Sequence, residues 1–61
     1  MPNPLYRTLV TIFMESAKDL QELALAFMKN DRKAISDTKA VLYRLKVRIE
    51  RIEYLLKNEN E

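Results

Sequence analysis

Two heptad stripes that do not share a phase set the limits on what this chain can become. Over residues 5–29 the bulky positions are Tyr6, Leu9, Phe13, Leu20, Leu23 and Phe27. Over residues 32–57 they are Ile35, Thr38, Leu42, Leu45, Ile49, Ile52 and Leu56. Steps built from threes and fours mark the core-facing stripe of an α-helix. Carrying the first frame into the second half brings Asp37, Arg44, Arg51 and Asn58 to core positions. One continuous rod is therefore untenable. The chain is expected to break near residue 30 and to return on itself as an all-α, antiparallel two-helix hairpin.

The punctuation agrees. Asn3 offers a side-chain oxygen to cap a helix, and Pro4 fits the first helical position, where no intrahelical N–H bond is lost. The chain contains no glycine, so the reversal needs another residue able to adopt a left-handed conformation. Asn30 is the best placed, and Asp31 next to it is a natural N-cap. The reading is a single domain over 1–61: helix one about 4–29, a turn at 30–31, helix two about 32–57 and a frayed tail at 58–61. Ser36 offers an alternative, later cap. The β-branched residues of Thr8–Ile12 are the weakest helical stretch. Folding about residues 30–31 sets Tyr6 opposite Leu56, Leu9 opposite Ile52, Phe13 opposite Ile49, Ser16 opposite Leu45, Leu20 opposite Leu42, Leu23 opposite Thr38 and Phe27 opposite Ile35. These rows are the expected core of the hairpin. Ser16 and Thr38 interrupt them, either as devices that fix register or by bonding the carbonyl four residues back.

A chain of 61 residues gains only ~3–5 kcal/mol from one core unless something staples it. It has no cysteine and no histidine, which removes disulfides and leaves only carboxylates for a structural zinc site. Oligomerisation remains. Helix one is too broad for one neighbour, with Leu5, Ile12 and Ala26 on one flank and Val10, Ala17 and Ala24 on the other. Those six residues are the expected dimer interface, and a twofold dimer of hairpins forming a four-helix bundle is the simplest closed solution. The alternative is docking of helix one on a different chain in a larger assembly.

Eleven basic and nine acidic residues give a net charge of +2, too balanced for a nucleic-acid-binding tail. The basic residues gather in helix two, where Arg44, Arg48 and Arg51 share a face beside Lys46, with Tyr43 and Tyr54 close by. These six residues are the candidate surface for a macromolecular partner, a protein in preference to nucleic acid. Pairs such as Lys46–Glu50 are expected to neutralise part of it. The acidic strip Glu15, Asp19, Glu22 reads as solubilising charge rather than a metal site.

No catalytic chemistry is expected. No histidine or cysteine is present to act as base or nucleophile near neutral pH, and without glycine there is no phosphate-cradling loop. No cofactor, metal or small-molecule substrate is expected. The apolar runs are too short to span a bilayer, and no signal peptide is recognisable, so the expected compartment is the cytoplasm. The function read from these residues is a small, non-enzymatic, homodimeric helical adaptor or regulator. The alternatives are a nucleic-acid-binding regulator and a subunit of a hetero-assembly.

Overall fold

The computed structural model describes residues 3–59. The chain forms two helices, α1 (Pro4–Met28) and α2 (Lys33–Glu59), packed against each other with no strand among the described residues. The result is a slab with extents of 46 × 22 × 9 Å, one helix thick.

Both ends of α1 and the start of α2 follow from named residues. Asn3 Oδ1 accepts a hydrogen bond from the Leu5 N–H at 2.9 Å, and Pro4 occupies the first turn. The β-branched stretch stays helical, with the Thr8 and Thr11 hydroxyls donating to the carbonyls of Pro4 and Arg7. At the other end Asn30 takes the left-handed conformation, with φ at 58°. The Asn30 N–H donates to the Phe27 carbonyl and the Asp31 N–H to the Ala26 carbonyl, each at 3.0 Å. That pairing is a Schellman closure built on asparagine in place of glycine. Asp31 then opens α2, its Oδ1 accepting from the Lys33 N–H at 2.9 Å and its carbonyl from the Ala34 N–H. Ser36 lies inside α2, so the later start is not used. Asn58 and Glu59 continue the helix past the expected end at 57. Residues 60 and 61, the remainder of the expected tail, lie outside the described residues.

Half of the expected seam, Leu9, Ser16, Leu23, Thr38, Leu45 and Ile52, lies between the helices as read from the sequence, and the other half is displaced by one residue. The seam positions, buried or half-buried, are Leu5, Leu9, Ile12, Ser16, Asp19, Leu23 and Ala26 on α1, with Thr8 also half-buried beside Leu9, and on α2 Ala34, Thr38, Val41, Leu45, Arg48, Ile52 and Leu55. Both series alternate steps of four and three, the spacing of helices that cross at a shallow angle. Ile12, Ala34 and Val41 are the buried residues, spread along the seam from near the open end to the turn. The expected core rows Tyr6, Phe13, Leu20, Phe27 and Ile35, Leu42, Ile49, Leu56 are instead exposed; Phe13 is 54% and Leu42 59% accessible. The reason is local. A minimal turn brings small residues, Ala26 and Ala34, together beside the loop. Farther along, the seam accepts Asp19 and Arg48 because they neutralise each other. Ser16 and Thr38 bond the carbonyls of Ile12 and Ala34 at 2.8 and 2.7 Å, which satisfies their hydroxyls within their own helices.

Candidate functional site

The off-by-one phase gives the slab two unlike faces. Each residue along an α-helix advances about 100° around the axis. In antiparallel helices, the residues that follow the inner seam positions therefore project to one side of the slab, and those that precede them to the other. The following positions are the two exposed rows, four residues seven apart on each helix. Beyond them on the edge of α1 lie Val10, Ala17 and Ala24, all exposed. The α1 half of this face carries no charge. The α2 half carries charge only at its outer edge, at Lys39, Lys46 and Glu53.

The preceding positions make a polar face. A groove of about 270 Å3 runs along it, lined by Asp19, Glu22, Asp37 and Arg44 with Leu23, Ala26, Ala40 and Val41 at its floor and sides. Residues from both helices thus meet on this side, as the antiparallel geometry requires. At its centre one oxygen of Asp19 accepts from Arg48 Nη1 at 2.8 Å and from Arg44 Nε at 3.1 Å. Asp19 and Arg48 are mostly covered, with side chains 17% and 20% accessible. The hydrogen bond from Arg48, then that from Arg44, holds the Asp19 carboxyl below its ordinary range, against the opposing effect of desolvation. These are the salt bridges present among the described residues, so the expected Lys46–Glu50 pairing does not form.

The six residues singled out as a partner-binding surface are therefore not equivalent. Arg48 belongs to the seam, and Arg44 is tied to Asp19. Lys46, Arg51, Tyr43 and Tyr54 remain exposed, but Arg51 and Tyr54 lie toward the polar face, Lys46 toward the apolar one, and Tyr43 on the outer edge. They do not make one continuous strip. The six residues singled out as a dimer interface divide in the same way. Ile12 is buried, and Leu5 and Ala26 are half-buried along the hairpin's own seam. Val10, Ala17 and Ala24 stay exposed on the apolar face. Sequence reasoning missed Asp19 as a structural partner. The available signal was an acidic heptad position in one half matched by Arg48 at a heptad position in the other.

Among the described residues no three histidine, cysteine or acidic side chains gather as a metal site needs, and neither helix is long and apolar enough to cross a membrane. Comparison with known protein families, curated proteins and solved structures finds no match to this chain.

Proposed function

We propose that this chain is a small, non-enzymatic helical adaptor of the cytoplasm that works as a homodimer and engages a macromolecular partner through its outer, polar surfaces. The observation that carries the reading is the uncovered apolar face. Large side chains that remain wet each forgo up to ~1.5–3 kcal/mol of burial, and this face holds eight of them in two parallel rows. Contiguous exposure on this scale marks an association surface. A slab of 46 × 22 Å offers on the order of 1,000 Å2 per copy, against ~800 Å2 per partner in a standard stable interface. Two hairpins stacked on these faces make a four-helix bundle whose polar faces point outward. A second copy is the occupant that brings a matched length and an equally uncharged centre.

Capture of Arg44 and Arg48 by Asp19 weakens the nucleic-acid alternative, because it leaves less free positive charge for phosphates. A protein partner is favoured, with Arg51 and Tyr54 as its contacts, residue types common at binding hot spots. Sedimentation equilibrium of the pure chain tests the first half of the reading, with twice the chain mass expected. A well-folded monomer at high micromolar concentration refutes it, and a poorly folded monomer supports docking on a different chain instead. Retention of a protein partner by the parent chain, but not by Arg51→Ala with Tyr54→Ala, tests the second half. Retention that disappears on nuclease treatment or falls steeply between ~50 and ~200 mM salt favours nucleic acid.

A further inference from the structure

Resting on the homodimer reading, we infer that the two copies stack with a twofold axis across the helices, so that α1 lies antiparallel on α1 of the second copy and α2 on its α2. Such an axis must pass through the midpoint of the apolar face on both helices at the same level. The row Tyr6–Phe27 and the edge Val10–Ala24 are centred at residues 16–17, and the row Ile35–Leu56 and the edge Lys39–Glu53 at residues 45–46. The groove on the polar side, lined by residues 19–26 of α1 and 37–44 of α2, brings these centres to about the same level; Arg44 meets Asp19 within that register, and Arg48, four residues farther from the turn, reaches back to the same carboxylate.

About that axis the face is complementary to itself. Tyr6 meets Phe27 of the second copy, Phe13 meets Leu20, and Leu42 meets Ile49, each a pairing of similar bulk. On the outer edge of α1 the small residue Ala17 meets its own counterpart, with Val10 against Ala24, so these two helices approach closely. On the outer edge of α2, Lys39 meets Glu53, two opposite-charge pairs per dimer, while Lys46 meets its own counterpart, a like-charge contact that water screens at this exposed edge. The competing stack places α1 of one copy on α2 of the other. It sets Ala17 beside Lys46 and Ala24 beside Lys39, and it leaves Lys39 and Glu53 without partners.

The chain has no cysteine, so single introduced thiols report the arrangement directly. Ala17 is exposed in the hairpin, and Ala17→Cys leaves the seam untouched. Under mild oxidation Ala17→Cys is expected to form a disulfide-linked pair at least tenfold faster than Tyr43→Cys, which sits on the outer edge away from the apolar face and reports random collision. If the parent chain sediments as a dimer while Ala17→Cys crosslinks no faster than Tyr43→Cys, the inference is overturned. Rapid mixed crosslinking between Ala17→Cys and Lys46→Cys chains, without either self-pair, also overturns it in favour of the competing stack. A parent chain that sediments as a folded monomer removes the homodimer reading itself, and that failure is read before any thiol is introduced.

Discussion

Replacing Phe13 with alanine separates the hairpin's own stability from its association. Phe13 is 54% accessible in the single hairpin, so covering the apolar face removes from water about half of its side chain. Full burial of such a side chain contributes ~1.5–3 kcal/mol, and half of that is ~0.8–1.6 kcal/mol per copy. Twofold symmetry doubles the loss to ~1.6–3.2 kcal/mol per dimer. At 1.4 kcal/mol per factor of ten, the dissociation constant rises roughly ten- to two-hundred-fold. The assay is sedimentation equilibrium across a dilution series, with thermal melts at the same concentrations read by circular dichroism. The melting point of Phe13→Ala is expected to fall below the parent's at dilutions where the parent is still paired and to converge on it where both are monomeric. A variant that associates like the parent refutes the assignment of this face as the interface. A variant that melts lower by the same interval at every dilution places Phe13 in the hairpin core and refutes the observed seam.

Four further outcomes follow. Ile12→Ala truncates a side chain only 4% accessible and costs ~2–5 kcal/mol, so its melt falls at every concentration, in contrast to Phe13→Ala. Asn30→Ala places a Cβ-bearing residue without a local polar side chain at φ 58° and costs ~1 kcal/mol, a drop of ~4–8 °C in a domain of this size; Asn30→Gly is expected to melt no lower than the parent. Because the folded state lowers the pKa of Asp19, its ionic contribution is complete above the unfolded value of ~3.9 and is lost as pH falls through the lower folded value; an acid titration of stability should show this loss, and Asp19→Asn should flatten it. Arg44→Ala with Arg48→Ala removes both partners of a mostly covered carboxylate and should lower the melt, whereas Arg51→Ala with Tyr54→Ala should leave it nearly unchanged.

The sequence carried the architecture in its boundary residues. Asn3, Pro4, Asn30 and Asp31 each act where their side-chain chemistry predicts, because caps and left-handed positions depend on a few local atoms. The seam was harder to read because two heptad frames overlap. Both include Leu9, Ser16 and Leu23, and they differ only in whether Tyr6, Phe13 and Leu20 or Leu5, Ile12 and Asp19 complete them. Bulk alone favours the first set. The turn, which admits only small residues beside it, and the charge match of Asp19 with Arg48 select the second. Both are relations between the two halves, invisible to a scan of either half alone. The same shift splits the expected basic strip, since Arg48 moves into the seam while Lys46 and Arg51 go to opposite faces.

The turn at Asn30 also bears on the order in which the fold forms. Residues beside it, such as Ala26 and Ala34, are close along the chain, so bringing them together sacrifices little chain freedom. Leu5 and Leu55, at the far end, meet only after nearly the whole chain has been ordered. Docking should therefore travel outward from the bend, as a zip closes from its fixed end, and amide exchange should be slowest near the bend and quicken toward the open end of the slab.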